Sequence, residues 1–267
     1  MKNLRNGEFF GQTNETICLD GLTITDTEYT HPYVDWHYHE NAYFTFLLQG
    51  NMTEGNKKEV YDCSAGSLLY HHWQDAHYNI KPDIFTRGFH IEISEQWFEK
   101  FKITKYKEGS FTIKNPDVKL LFYQLFREAK MSGNSLEISL NQLLLYVFSQ
   151  FSDQNGLREK KPAWAKQIEE ILHENATEKL NLLDLSQTLD IHPMHLSRDF
   201  QKYFNCNLGT YIRKLKIEKS LTLLNTDKSL THIAIECGFA DQSHFIRCFK
   251  ENMGLTPLKY RQILRGR

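Results

Sequence analysis

The sequence predicts an α+β fold. An all-β barrel or sandwich and two helices form its N-terminal part, and an all-α domain with two helix-turn-helix motifs joined by a linker helix forms its C-terminal part. Residues 1–113 contain short aromatic and β-branched runs separated by turn signals, the pattern of strands. Apolar residues then recur at helical spacing. Finally, residues 182–211 are matched by residues 230–260, which indicates a duplicated helical unit.

The strands and helices are predicted in chain order. Strands are expected over 43–50, 59–72 and 86–93, each a run of apolar and β-branched residues closed by turn residues. The period then changes, and amphipathic helices are expected over 117–130 and 136–151.

Three segments follow from this division. Residues 1–151 form the predicted N-terminal domain, which ends with the two amphipathic helices. Residues 152–162 are polar, contain a glycine and end in proline, as linkers do. Residues 163–267 are helical throughout and form the second domain.

Composition narrows the class of protein. The five cysteines are odd in number and include no CxxC pair, which indicates reduced thiols in a cytoplasmic protein. The first residues lack the apolar core of a signal peptide, and the longest apolar run, at 143–148, is too short to cross a bilayer. We therefore expect a cytoplasmic location and no membrane partner.

Charge is divided unevenly along the chain. Residues 196–267 carry 13 Lys and Arg against 6 Asp and Glu, a net charge of +7, whereas the whole chain carries −1, so that residues 1–195 carry −8. A basic C-terminal part suits a polyanion such as DNA. A solvated basic surface explains the charge equally well, so charge alone does not decide between the two.

The duplicated unit reads as helix, tight turn, helix. The copies at 182–204 and 230–252 are offset by 48 residues at first and by 49 after one extra residue in the second copy. Gly238 stands in the second turn and accepts a positive φ, and Asp190 stands in the first, where it tolerates that region better than most residues. Both copies therefore predict a helix-turn-helix motif.

The second helix of each motif has a polar and basic outer face. Arginine can bond guanine with two hydrogen bonds, glutamine can bond adenine, and lysine can reach phosphates. A single unit would more simply be a helical hairpin with a solvated face, but two units with arginine at the same position favour DNA reading. The predicted DNA-contacting residues are Met194, Ser197, Arg198, Gln201, Lys202, Gln242, Ser243, Ile246, Arg247 and Lys250.

A helix between the two motifs sets their predicted separation. The 16 residues at 210–225 would span about 24 Å as a helix. With the flanking helices, the two recognition helices are expected one DNA turn apart, about 34 Å, so that one chain reads two successive major grooves.

These residues resemble the DNA-binding domain of the AraC/XylS family of bacterial transcription regulators. The resemblance rests on the segments "LSRDFQKYF", "YIRKLKIEKSLTLL" and "IAIECGFADQSHFIRCFKENMGLTPLKYR". Asn205 departs from the pattern where a glycine is common, and Met194 lies at a variable contact position. The resemblance implies a transcription regulator that binds double-stranded DNA.

Two N-terminal segments resemble the motifs of the cupin barrel, the sensor domain of many AraC-like proteins. They are "DWHYHENAYFTFLLQG" (35–50) and "AGSLLYHHWQDAHYN" (65–79). The resemblance implies a small-molecule effector pocket, for which the candidate residues are His37, His39, Tyr43 and His77.

The cupin resemblance also implies a metal site as an alternative. In metal-binding cupins an HxH pair, a nearby glutamate and a later histidine hold the ion, and His37, His39 and His77 match three of these positions. Near Tyr43, where the motif has its glutamate, this sequence has an aromatic residue. Three histidines could hold zinc with an open coordination position, or they could bond an effector or each other. We predict no cofactor and keep a divalent metal in the barrel as the weaker alternative.

The sequence as a whole predicts a sequence-specific DNA-binding regulator that is not an enzyme. Its expected partners are double-stranded DNA, an unidentified small molecule and, if it activates transcription, RNA polymerase. The helices at 117–130 and 136–151 could pair two copies into a homodimer or dock on the barrel. The alternatives are a metal-dependent cupin enzyme or sensor with a fused helical DNA-binding module, and a nonspecific nucleic-acid-binding protein.

Overall fold

The computed structural model describes residues 1–103, 109–131, 136–152, 161–178 and 180–266, with the backbone only at 150–152. The described chain forms two compact units, Met1–Ser152 and Asp153–Arg267. Most of the predicted linker at 152–162 lies outside the described residues. The predicted fold class is confirmed: strands dominate the first unit and helices form the second.

The first unit contains strands followed by helices. Its strands are β1 (Lys2–Leu4), β2 (Gln12–Leu19), β3 (Leu22–Glu28), β4 (Tyr33–His39), β5 (Ala42–Gln49), β6 (Asn51–Asn56), β7 (Val60–Ser64), β8 (Leu68–His71), β9 (His77–Ile80), β10 (Arg87–Ile93) and β11 (Phe111–Thr112). Its helices are α1 (Glu95–Lys100), α2 (Pro116–Met131) and α3 (Leu136–Ser152).

The strands form two sheets. One has the order β1-β4-β9-β6-β7, and the other has the order β11-β8-β5-β10-β3-β2. Within the described residues the sheets do not close into the predicted barrel, and each keeps two edge strands. Leu47 and Leu69 of the six-stranded sheet share a buried cluster with Met52 and Tyr61 of the five-stranded sheet, as in a sandwich. The predicted strand at 59–72 is interrupted at Gly66, whose φ of 87° turns the chain between β7 and β8.

The central strand β5 explains where the two long helices lie. It is buried on both faces, unlike a strand with one solvated face. The rings of Phe44 and Phe122 lie 4.8 Å apart, and those of Phe46 and Tyr123 lie 4.6 Å apart, so α2 packs on this sheet. Phe148 of α3 also contacts Phe44, at 5.7 Å. The apolar stripes of both helices therefore dock within the chain.

The second unit is helical. Its helices are α4 (Ala163–Glu174), α5 (Leu182–Thr188), α6 (Pro193–Phe204), α7 (Leu208–Leu223), α8 (Leu230–Glu236), α9 (Gln242–Met253) and α10 (Pro257–Leu264). Helices α5 and α8 have 7 residues each, and α6 and α9 have 12 each, with the offsets of 48 and 49 that the sequence shows. The extra residue lies in the turn of the second copy.

The two turns use the predicted residues. Asp190 has φ 51° and Gly238 has φ 73°, so both lie in the left-handed region. The backbone amide of the following residue is then satisfied in the same way in both copies: Ile191 N donates to Ser186 O and Phe239 N donates to Ala234 O, each at 2.9 Å. This bond closes the first helix and redirects the chain into the second.

The repeat extends to a third helix. Tyr211 of α7 packs edge-on against Phe200 with ring centroids 5.6 Å apart, and Tyr260 of α10 packs against Phe249 at 5.8 Å. Tyr260 is fully buried, so the "GLTPLKYR" segment completes the core of the second copy.

The turn at Gly238 gives a stability prediction. A Cβ at this position would lie 2.1 Å from the carbonyl oxygen of Thr177, and φ is positive. Gly238→Ala is therefore expected to lower the free energy of unfolding by about 2 kcal/mol or more. The measurement is urea denaturation followed by helical circular dichroism.

Gly209→Ala is the matched control for that change. Gly209 is helical, and its nearest neighbour would be an ordinary contact at 3.5 Å. This substitution should raise stability by about 0.5–1 kcal/mol because alanine restricts the unfolded chain. Equal effects of both substitutions would contradict the role given to the turn.

Candidate functional site

The inner faces of α6 and α9 determine which residues point outward. Leu196 and Phe200 of α6 and Phe245 and Phe249 of α9 are fully buried. The opposite faces are therefore solvent-accessible. Of the ten predicted contact residues, eight are exposed, Met194, Ser197, Arg198, Gln201, Lys202, Ser243, Arg247 and Lys250, and two are half-buried, Gln242 and Ile246.

Arg198 is held by its own helix. Its Nε donates to Asp199 Oδ1 at 2.8 Å, and its Nη2 lies 3.3 Å from His195 Nδ1. The hydrogen bond that Arg198 donates to Asp199 raises the pKa of Arg198, and the same bond lowers the pKa of Asp199. Because both side chains are accessible to water, this pair is weak and can exchange for a base or a phosphate.

In the second copy, the recognition helix is tied to the helix before it. Thr231 Oγ1 of α8 donates to Gln242 Oε1 of α9 at 2.5 Å. The oxygen of this amide thus accepts a hydrogen bond within the chain, and its NH₂ group is a hydrogen-bond donor. Such a donor suits an acceptor on a base edge or a phosphate.

The linker helix α7 contacts α6, α8 and α9 and so joins the two motifs. Lys216 of this helix is half-buried, and its Nζ donates to the carbonyl oxygen of Gly238 at 2.6 Å. Burial lowers the pKa of Lys216. This lysine therefore supports the second turn and does not join the basic outer surface. The separation of about one DNA turn between the recognition helices stays a prediction.

The four predicted pocket residues lie together in the first unit. His37 and His39 of β4, Tyr43 of β5 and His77 of β9 are each only 2% exposed. The rings of His37 and His77 lie 4.2 Å apart, and those of His39 and Tyr43 lie 4.3 Å apart. The structure thus brings all four into one cluster, buried among other side chains.

Hydrogen bonds fix the tautomers of two of these histidines. His37 Nδ1 donates to Asp35 O at 2.9 Å, and His77 Nδ1 donates to Asp75 O at 3.1 Å. A carbonyl oxygen can only accept, so the proton of each neutral ring is on Nδ1 and the lone pair is on Nε2. The hydroxyl of Tyr43 donates to His77 Nε2 at 3.0 Å.

The cluster includes residues that the sequence prediction did not assign to the site. His71, His90, Glu54 and Glu92 are all buried within it. His90 and Glu92 stand two apart in β10 and so face the same side, a signal that the sequence carried. Glu54 lies in β6 with no comparable pattern, and its role emerges only from the pairing of β6 with β9.

Two buried pairs lie across the cluster. His39 Nδ1 is 3.4 Å from Glu92 Oε1, and His71 Nε2 is 3.4 Å from Glu54 Oε1. All four atoms are buried without a hydrogen-bond partner of acceptable geometry.

Burial controls the protonation of the cluster. It lowers the pKa of His37 to about 4 and the pKa values of His39 and His90 to about 3, and it lowers those of His71 and His77 as well. Burial also raises the pKa of Glu54 to about 8 and that of Glu92 to about 7. At neutral pH the imidazoles are therefore uncharged.

The metal set that the cupin resemblance implies fits only in part. Ligand atoms of His37, His39 and His77 lie within 4.8 Å of one another. Tyr43 occupies the position of the missing carboxylate, and its hydroxyl bonds the nitrogen that His77 would offer. Three neutral histidines leave the charge of a divalent ion unbalanced in a buried site, so we derive no step through a metal held by this set.

An open pocket lies elsewhere on the first unit. None of the four predicted pocket residues lines it, although Tyr43 directly follows one lining residue. Its lining residues are Glu40, Asn41, Ala42, Trp73, Ile93, Glu95 and Phe98. The assignment of His37, His39, Tyr43 and His77 to an effector pocket stays a prediction.

Comparison with known proteins concerns the helical unit. A helix-turn-helix domain family matches residues 185–263. The chain is 35% identical over 108 residues to the bifunctional transcriptional activator/DNA repair enzyme AdaA of Bacillus subtilis. The aligned region covers 39% of this chain and 51% of that protein. It is 32% identical over 98 residues to the transcriptional regulator GbdR of Pseudomonas aeruginosa, covering 36% and 27%. The chain thus spans about half the length of these relatives or less.

Among solved structures, ToxT from Vibrio cholerae covers 92% of this chain and 99% of its own, with 17% identity and a TM-score of 0.39. The matched family and the paired motifs define a DNA-binding helix-turn-helix domain. More particularly, this part of the chain is similar to the AraC type of domain found in transcriptional regulators. Across the described residues, no helix has both the length and the apolar character needed to cross a bilayer.

The buried histidines give a prediction of pH dependence. The pKa of His90 is about 3 in the folded protein, against an ordinary value near 6.5, so below pH 6.5 the unfolded chain takes up a proton that the folded chain does not. Stability is therefore lost as the pH falls from 6.5 towards 3, by about 1.4 kcal/mol per pH unit for this residue. Glu54 and Glu92, whose pKa values are raised, act in the opposite direction between about pH 4.5 and 7.

His90→Gln is therefore expected to flatten the pH dependence between pH 6.5 and 4. The measurement is the free energy of unfolding at several pH values. The exposed His31, changed to Gln, is the control for loss of a histidine. An unchanged slope in His90→Gln would contradict a neutral, buried His90.

Proposed function

We propose that this protein is a sequence-specific DNA-binding transcription regulator whose N-terminal unit senses a small molecule. One observation carries the DNA-binding part: two helix-turn-helix copies present accessible faces with an arginine at the same position, Arg198 and Arg247. Arginine at such a position can read guanine. The names of the matched relatives, which are transcriptional regulators, support the same function.

The predicted contacts divide by role. Arg198, Arg247 and Gln242 are proposed to contact base edges, and Lys202 and Lys250 are proposed to contact phosphates. Met194, Ser197, Gln201, Ser243 and Ile246 complete the two faces. We propose that double-stranded DNA is bound in two successive major grooves.

The remaining proposals concern the whole protein. We propose that it is cytoplasmic and not an enzyme, since the match to AdaA lies in the helix-turn-helix part. We also propose that the unit Met1–Ser152 responds to a small molecule and that the two units are joined through residues 152–162. The homodimer, and contact with RNA polymerase if the protein activates transcription, are further proposals.

Substitution separates base reading from phosphate contact. Arg198→Ala or Arg247→Ala should weaken binding to a selected site by about 1–3 kcal/mol and relax the preference at one base pair. Lys202→Ala or Lys250→Ala should weaken binding to all DNA alike and lower the salt slope by about one. Fluorescence anisotropy at several salt concentrations measures both effects. Identical behaviour of all four variants would exclude specific reading.

Selection of bound DNA from a random pool tests the paired motifs. We expect a bipartite site whose half-elements lie about 10 base pairs apart, because each recognition helix occupies one major groove on the same side of the duplex. Selection of a single short element, or of no sequence at all, would contradict the proposal.

A further inference from the structure

A second group of buried side chains overlaps the histidine cluster. It consists of Glu54 of β6, His71 of β8 and His77 of β9, and ligand atoms of the three lie within 4.8 Å of one another. All three residues are at most 2% exposed. Unlike the set of His37, His39 and His77, this group contains a carboxylate.

Outer hydrogen bonds orient both histidines of the group. His77 Nδ1 donates to Asp75 O at 3.1 Å. Ser110 Oγ donates its proton to Asp75 Oδ2 at 2.6 Å, so it accepts from His71 Nδ1 at 3.2 Å. Both rings therefore turn an Nε2 lone pair towards the centre of the group. Metal-binding histidines are held in this way, by donation from the other ring nitrogen.

Glu54 is oriented by a neighbour as well. Its Oε2 accepts from Asn79 Nδ2 at 3.0 Å, on the strand paired with β6. Its Oε1 lies 3.4 Å from His71 Nε2, and neither atom has a hydrogen-bond partner. A buried polar atom without a hydrogen-bond partner destabilises the fold. Two lone-pair atoms at this distance match adjacent ligands of a tetrahedral zinc ion, which lie about 3.3 Å apart when the bonds are about 2.0–2.1 Å.

We propose that Glu54, His71 and His77 form a binding site for a divalent transition-metal ion, with Zn²⁺ as the best match. Two imidazole nitrogens and one carboxylate oxygen are ligands that zinc accepts, and three protein ligands leave one position open. This site does not depend on the proposed DNA-binding function.

The two candidate ligand groups both contain His77, so only one of them can bind an ion at a time. Its Nδ1 is committed to Asp75, so its single Nε2 lone pair can bind one ion only. Glu54 releases its proton to solvent when the ion binds, and the resulting carboxylate offsets part of the ion's charge in a buried environment, whereas His37 and His39 add no charge. The ion is therefore held on the Glu54 side.

Tyr43 competes with the ion. Its hydroxyl now donates to His77 Nε2 at 3.0 Å and must release that nitrogen when metal binds. Tyr43→Phe removes this competing bond and keeps the ring. Zinc should then bind more tightly than it binds the wild-type chain, the opposite of what removal of a ligand would cause.

The test uses the full chain, freed of metal by a chelator. Zn²⁺ alone is titrated by calorimetry, and Co²⁺ alone is titrated by its visible absorption, which reports four-coordinate geometry. Glu54→Gln, which keeps the shape of the side chain, and His71→Ala should each weaken binding by at least about tenfold. His39→Ala should retain tight binding, and the exposed His31→Ala controls for metal bound at the surface. Circular dichroism verifies that each variant is folded.

Several outcomes would overturn the site. These are an absence of stoichiometric binding to the wild-type chain, loss of binding in His39→Ala with retention in Glu54→Gln, or weaker binding in Tyr43→Phe. The first would leave the cluster as a metal-free hydrogen-bonded core. The second would place the ion among His37, His39 and His77 instead. DNA binding is measured separately, so its failure would not affect this result.

Discussion

The inward anchoring of each recognition helix is the constraint on which the proposed interface depends. Buried apolar residues four apart fix the rotation of each helix about its axis; they are Leu196 and Phe200 in α6 and Phe245 and Phe249 in α9. Burial of one large aromatic side chain contributes roughly 1.5–3 kcal/mol. Because that rotation is fixed, Arg198 and Arg247 lie on the far side and are exposed. An accessible basic face is thus a result of core packing.

The N-terminal unit is organised differently, around polar residues inside a core. Its histidines are kept neutral by burial, and only some of their nitrogens are satisfied by protein groups. Such an arrangement is costly compared with an apolar core, since each unpaired buried group loses its hydration. Natural proteins retain groups of this kind where they serve a function, which is why the unpaired atoms of Glu54 and His71 direct attention to a ligand.

Much of this structure could be predicted from the sequence. The parts that could not be predicted have one cause in common. The paired motifs followed from local patterns: the apolar spacing, Asp190 and Gly238 at the turns, and the basic face. No local pattern predicts the contact of Lys216 in α7, whose ammonium reaches the carbonyl of Gly238 across 22 residues of sequence. Likewise, Glu54 joins the histidines only through strand pairing. Contacts made between distant segments leave no local periodicity to read.

The extra residue in the turn of the second copy limits how far the two copies can be exchanged. Equivalent positions in the recognition helices differ by 49, whereas those in the preceding helices differ by 48. A graft of base-reading side chains from one helix onto the other must follow the larger number, or every side chain would rotate by about 100° around the axis. The two copies keep the same helix lengths with different offsets, so any exchange of side chains between them has to number each helix separately.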